Sequence, residues 1–297
     1  MLAAQTTRFP SAQVAALYAD VSPEQVAKLL DFRAAHPYRH ITQSGTIWPY
    51  IDAGRGAVPI LLLPGAFGTA ESAWQQIGPL AETRRVLAPS YPPVTTMAAL
   101  VDGIAAVLRH AGVGTADVVG GSYGGTVAQV FVRRHADMTR RLILSHTMHP
   151  DPARGKQLGR VMRVLSLLPA GLVKTLFKRS MDRLTPPDNP ESALHRAYFA
   201  EAVAYHITKA DLINGYRRIA DFDLQYAFGP DDLAGWAGPT LLIMADDDPA
   251  TPPPVRAEMQ RLYPRARVHL FTGTGHAASV LRREEYLGLI RAFTGPD

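Results

Sequence analysis

The chain of 297 residues contains no cysteine, which excludes disulfides, thiolate nucleophiles and thiolate metal sites. It also lacks any run of about 18 uncharged apolar residues, so no membrane-spanning helix is expected. Its first residues, Met1-Leu-Ala-Ala-Gln-Thr-Thr-Arg8, place no apolar stretch behind a basic start. A soluble, cytoplasmic protein without a signal peptide is the expectation. Repeats and low-complexity segments are absent as well, as suits an ordinary globular protein. Of the 31 basic residues 26 are arginine, and no basic stripe is interleaved with aromatics. A net charge of +5 therefore does not point to a nucleic-acid partner. What remains is an ordinary globular composition, 47% hydrophobic with 24 glycines and 24 prolines, long enough for one large α/β domain with an insertion or for two small domains.

The most informative segment is Asp117-Val-Val-Gly-Gly-Ser122-Tyr-Gly-Gly125. A short apolar strand runs into Gly-x-Ser-x-Gly (Gly120, Ser122, Gly124) and then into a helix expected over Thr126–His135. A serine forced onto so tight a strand-to-helix turn is strained, and only small neighbours two positions away leave room for it. Its hydroxyl then stands above the sheet edge beside the next amide, that of Tyr123, with the positive end of the helix aimed at the same space.

Around this segment strands and helices alternate. An amphipathic N-terminal part (Val14–Tyr18, then a helix from Pro23 capped by Ser22) precedes a hairpin of Arg39–Thr46 and Ile47–Asp52 turning near Ser44-Gly45. Further strands are expected at Pro59–Leu63, Arg85–Ala88, Arg141–Leu144, Thr240–Met244 and Val268–Phe271, with helices at Ala73–Leu80 and Met97–His110, the latter stopped by Gly112. Such alternation implies a mostly parallel sheet with helices on both faces. About ninety residues between the sixth and seventh strands carry helical patterns only, so 148–238 is expected to form a helical cap, with 1–147 and 239–297 as the core and 1–38 as a helical extension.

Two further turns supply partners for the serine. After Thr240–Met244 comes Ala245-Asp-Asp-Asp248-Pro249, and after Val268–Phe271 comes Thr272-Gly-Thr-Gly-His276. A serine hydroxyl is a weak nucleophile until a neutral imidazole takes its proton, and a carboxylate is needed to hold that imidazole in the right tautomer. His276 fits the base, and one of Asp246, Asp247 and Asp248 the acid. The loop Pro64-Gly-Ala-Phe-Gly68 offers backbone amides for an oxyanion, with Ala66 and Tyr123 as the donor pair and Phe67 in reserve for the first.

With the elbow at 120–125, the Leu-Pro-Gly loop at 63–65 and the run Pro239-Thr-Leu-Leu-Ile-Met-Ala-Asp-Asp-Asp248-Pro, the chain resembles the α/β-hydrolase superfamily over nearly its whole length. The resemblance implies the α/β-hydrolase fold, an eight-stranded and mostly parallel sheet with a cap after the sixth strand. It selects Asp248, because Ala245 stands for the glycine of the usual Gly-x-x-Asp form. The histidine that often braces the oxyanion loop is Pro64 here. Gly68-Thr-Ala-Glu-Ser72, Tyr91-Pro-Pro-Val94 and Leu262-Tyr-Pro-Arg-Ala-Arg267 resemble maspardin-type members, which are better known as binding proteins and lack a histidine in the loop that carries His276 here.

Two classes of function follow from that resemblance. One is a serine hydrolase acting on an ester, thioester or lactone, or on a peptide, carbon–carbon or acyl-transfer substrate of the same chemistry. The other is a non-catalytic interaction protein of hydrolase fold. The complete set of Ser122, Asp248 and His276 favours the enzyme, needing no cofactor and no metal. The pair His146-x-x-His149 lacks a third ligand at helical spacing and is read as pocket lining, with Phe67, His146 and Met148 as pocket residues. From Arg154 to Arg183 eight basic residues face a single acid, Asp182, interleaved with Val161, Met162, Val164, Leu165, Leu167, Leu168, Leu172, Val173, Leu176 and Phe177. The plain reading is a cap with its basic face in water and its apolar face roofing the pocket. The sharper reading is attraction of an anionic small-molecule acyl substrate or of a membrane surface.

Overall fold

Strands that are apolar at every position must be covered on both faces. In the computed structural model, which describes residues 9–182 and 189–295, this governs the architecture. Eight strands form one sheet: β1 (Arg39–Gln43), β2 (Thr46–Ala53), β3 (Ile60–Leu63), β4 (Val86–Pro89), β5 (Ala116–Gly121), β6 (Thr139–Ser145), β7 (Thr240–Ala245) and β8 (Arg267–Phe271), in the order β1-β2-β4-β3-β5-β6-β7-β8. Only β2 runs against its neighbours; β4 through β8 are parallel. Alternate residues of the central strands serve opposite faces. Leu61, Leu63, Val118, Leu142, Leu144 and Leu242 pack against α4 (Met97–His110), α5 (Tyr123–Arg134) and α10 (Pro253–Leu262). Ile60, Leu62, Val119, Ile143, Leu241 and Ile243 pack against α3 (Trp74–Ala81) and α11 (Arg283–Thr294). Each fully buried aliphatic side chain contributes roughly 1.5–3 kcal/mol to this core.

The hairpin turns where expected, with both Ser44 and Gly45 at positive φ (50° and 73°). One boundary differs. The helix after β5 begins at Tyr123 rather than Thr126, because Gly124 and Gly125 belong to its first turn. They are there to let the helix approach its neighbours: a Cβ on Gly124 would lie 2.2 Å from the Leu63 carbonyl oxygen, and one on Gly125 2.4 Å from the Thr147 side chain.

Between β6 and β7 the described residues form α6 (Pro152–Leu167), α7 (Ala170–Asp182), α8 (Ser192–Glu201) and α9 (Lys209–Gln225). Val173, Phe177, Ala202, Ile207 and Leu212 make a small core of their own, reached from below by Phe67. The N-terminal helices α1 (Ala12–Leu17) and α2 (Pro23–Ala35) pack Val14, Tyr18 and Leu29 against Leu194, Ala197 and Tyr198 of α8. Polar bonds fasten the same junction: Tyr18 Oη donates to Glu201 (2.5 Å), and Arg33 Nη2 lies between Glu71 (2.7 Å) and Glu201 (3.0 Å).

The segment expected to form a cap departs from the amphipathic reading in two respects. Met162, Val173 and Phe177 are buried, but Val161, Val164, Leu167, Leu172 and Leu176 face outward, so half of the apolar set does not roof a pocket. Arg154, counted among the unneutralised cations, donates two hydrogen bonds to buried Asp223 of α9 (2.8 and 2.5 Å). That acid is 69 residues away in sequence and invisible to a local charge count. Arg183 and residues 1–8 lie outside the described residues, and so does the side chain of Asp182. Among the described residues no helix is long and apolar enough to cross a membrane.

Candidate active site

The carboxyl ends of β3, β5, β6, β7 and β8 converge where the loops of interest leave the sheet. Ser122, between β5 and α5, has φ 51° and ψ −122°, a left-handed conformation that a non-glycine residue adopts only under strain. The strain is held from outside. Its N–H donates to the Ser145 carbonyl (2.8 Å), and its own carbonyl accepts from Thr147 Oγ1 (2.8 Å) and the Gly125 amide (2.9 Å). Gly120 and Gly124 close the turn from either side, a Cβ on Gly120 falling 2.3 Å from the Gly124 oxygen. Gly124→Ala is therefore expected to destabilise the fold by about 1–3 kcal/mol. Gly121→Ala, whose Cβ would meet nothing nearer than 3.9 Å, should leave the urea midpoint almost unchanged.

Ser122, His276 and Asp248 come together although they lie in three different loops. His276 Nε2 is 2.9 Å from Ser122 Oγ, and its Nδ1 is 2.9 Å from Asp248 Oδ2. Asp248 is only 2% exposed and also accepts from the Ala250 amide on Oδ1 (2.8 Å) and from Thr251 Oγ1 on Oδ2 (2.8 Å). Burial alone would raise its pKa, but the bonds from His276, Thr251 and Ala250 outweigh it and hold the carboxyl below its ordinary value. The other two acids have different work. Asp246 accepts from the Gly273 amide (3.3 Å) and Asp247 from the Gly275 amide (2.9 Å), bracing a histidine loop in which both glycines have positive φ. A chain of this kind can carry a proton from the hydroxyl to the imidazole while the carboxylate fixes the ring.

The amides of Ala66, Phe67 and Tyr123 have no acceptor among the described residues, and all three residues border the space above Ser122. That space has two lobes meeting at Ala66, Phe67, Ser122 and Met181. One, of about 290 Å³, is walled by Ser145, His146, His195 and His276. The other, of about 220 Å³, lies under α9 and is walled by Tyr123, Met148, Phe177, Leu212 and Arg218. Of the expected pocket residues Phe67 thus borders both lobes, His146 the first and Met148 the second. His149 is turned aside, its Nδ1 bonded to the Pro150 carbonyl (2.8 Å).

Several residues at the site carried no signal in the sequence. Arg218, Thr251 and Ser145 are single polar residues whose partners lie elsewhere in the chain. His146 was placed there by its position after β6, but not its state. It has φ 47°, is 5% exposed, bonds Ser145 Oγ through Nδ1 (2.8 Å) and leaves Nε2 without a partner among the described residues. Burial first, and the neighbouring His276 second, bring its pKa down to about 4, against an opposing pull from Asp248 and Asp247. The native state therefore keeps His146 neutral at pH values where the unfolded chain, titrating near 6.5, binds a proton. Stability is lost as the pH falls from about 6.5 to about 4, by a total of about 3 kcal/mol from this group. His146→Phe should flatten that part of the profile, measured by urea unfolding at pH 4.5 and 7.5.

Comparison with known proteins gives the same architecture. The family model described as the alpha/beta hydrolase family matches residues 60–288, well over half of the chain. Epoxide hydrolase 3 of Xenopus tropicalis is 25% identical over 88% of this chain and 78% of its own. Maspardin of Danio rerio is 25% identical over 82% of this chain and 78% of its own. Among solved structures, a hydrolase from Pseudomonas aeruginosa superimposes with a TM-score of 0.72, covering 87% of this chain and 98% of its own at 21% identity.

Proposed function

The chain belongs to the α/β-hydrolase family, and from that premise we propose that it is a serine hydrolase cleaving a carboxylic ester, thioester or lactone through an acyl-enzyme. The observation that carries the reading is the bonded sequence Ser122 Oγ, His276 Nε2, His276 Nδ1 and Asp248 Oδ2, with both contacts at 2.9 Å. Ser122 Oγ attacks the acyl carbon as His276 takes its proton, and the amides of Ala66 and Tyr123 receive the oxyanion. The tetrahedral adduct collapses, and the imidazolium gives its proton to the departing alcohol or thiol. Water, deprotonated by the same imidazole, then releases the acid and restores the serine. Asp248 stays ionised throughout, as its lowered pKa favours. Segment 148–238 acts as the cap that shapes a small-molecule acyl substrate.

Epoxide opening of the kind that proceeds through an aspartate nucleophile is disfavoured by the serine at position 122. A purely binding role is disfavoured by the imidazole bonded on both sides. A fluorophosphonate probe should label the protein at Ser122 and fail to label Ser122→Ala. Folded wild-type protein that stays unlabelled and releases no p-nitrophenol from p-nitrophenyl butyrate would rule the reading out.

A further inference from the structure

Among the described residues, the lobe under α9 holds a buried cation without a counter-ion. Arg218 is 3% exposed. Its Nε donates to Tyr123 Oη (2.6 Å) and its Nη1 to the carbonyls of Pro92 (3.1 Å) and Val94 (2.6 Å), all neutral acceptors. Its Nη2 has no partner among the described residues. The guanidinium carbon lies 5.9 Å from the ring centres of both Tyr91 and Tyr123, so the charge sits among aromatic faces. The acids on the same helix are held elsewhere. Asp211, which borders this lobe, accepts from the Thr208 amide and hydroxyl, Asp221 from the Met97 amide, and Asp223 from Arg154. Among the described residues no carboxylate forms an ion pair with Arg218.

A buried guanidinium is ordinarily paired, because desolvating a charge is costly unless an opposite charge offsets it. Three neutral acceptors hold this one and, among the described residues, leave its charge unanswered, on the wall of a lobe that opens onto Ser122. A fork of N–H donors in such a place is suited to a carboxylate. The remaining wall, with Met148, Phe177, Leu212 and Ile219, is suited to a short hydrocarbon chain.

We infer that the substrate carries a carboxylate that Arg218 receives in this lobe, a short aliphatic spacer away from the acyl carbon attacked by Ser122. This rests on the serine hydrolase reading and narrows it to acyl compounds with an anionic end. Arg218 also ties the cap helix α9 to the residue after the nucleophile, so loss of its charge and loss of its support must be told apart.

The test compares mono-p-nitrophenyl esters of succinate, glutarate and adipate with neutral methyl-ended esters of equal chain length, each rate divided by its hydroxide-catalysed rate. Wild type should prefer the best carboxylate-ended ester by about ten- to hundred-fold in kcat/KM, the worth of one charged hydrogen bond. A matched pair with the carboxylate on the leaving group, acetylated 4-hydroxybenzoate and its methyl ester, should show no such preference, and a preference confined to this pair would overturn the inference. Arg218→Gln and Arg218→Met should lose the preference, and Arg218→Lys should keep part of it. Because the readout is a ratio within one protein, a general loss of activity does not move it. Wild type that cleaves neutral esters and takes the fluorophosphonate label, yet prefers no carboxylate in either series, overturns the inference alone. So does a preference that survives in Arg218→Gln. Absence of both labelling and turnover overturns the hydrolase reading instead.

Discussion

Ser122→Ala is expected to lower kcat on p-nitrophenyl butyrate by about 10⁶ while leaving KM near its wild-type value, because the lost oxygen forms a bond only on the way to the acyl-enzyme. The methyl group of alanine fills the place of Cβ without changing the pocket, and the amides of Ala66 and Tyr123 remain. A residual rate above that in water is therefore expected, supplied by those donors and by binding. His276→Ala should cost about as much, since the serine is inert without a base 2.9 Å away. The combination carries the sharper test. Serine and histidine act as one unit, so Ser122→Ala/His276→Ala should be no slower than either single variant. Additive losses, or a serine variant that keeps a tenth of the activity, would mean that the ester is cleaved by another group. Steady-state rates over a range of ester concentrations decide the matter, with urea unfolding to confirm that each variant is folded.

How much of this was legible depended on how local the cause was. Helix α4 was read correctly at both ends, as its Thr96 N-cap, its buried positions Leu100, Val101, Ile104 and Val107, and Gly112 at φ 71° all act within a few residues. The Ser44-Gly45 turn was legible for the same reason. The start of α5 was misread because its glycines answer to Leu63 and Thr147, which only the fold brings near. Arg218 could not be foreseen at all: its acceptors are 95 to 126 residues away, and locally it is one of two adjacent arginines on a helix. Ser122 and His276 were found through glycines that shape their own turns. The choice among Asp246, Asp247 and Asp248 needed family resemblance, since three consecutive carboxylates look alike until the histidine loop is set against them.

That choice gives the second large effect. Asp248→Asn is expected to lower kcat by about 10⁴ with little change in KM. The buried carboxylate accepts a hydrogen bond from His276 Nδ1–H and so leaves Nε2 free to receive the proton of Ser122. An asparagine amide can turn its NH₂ toward Nδ1, which moves the ring proton to Nε2 and points it at the serine oxygen. The base is then present but occupied. Asp246→Ala and Asp247→Ala remove only one bond each to the loop amides of Gly273 and Gly275, so each should cost no more than about ten-fold. The pH dependence of stability separates the same residues. The pKa of Asp248 is lowered in the native state, so its contribution is fully present above the unfolded value of about 3.9 and is lost as the pH falls through the native one. Asp248→Asn should remove that acid-side loss along with most of the activity. A variant at 246 or 247 that matched it in rate would move the acid by one or two positions, and His276 would then have to take its orientation from a carboxylate that the fold has given to a glycine amide.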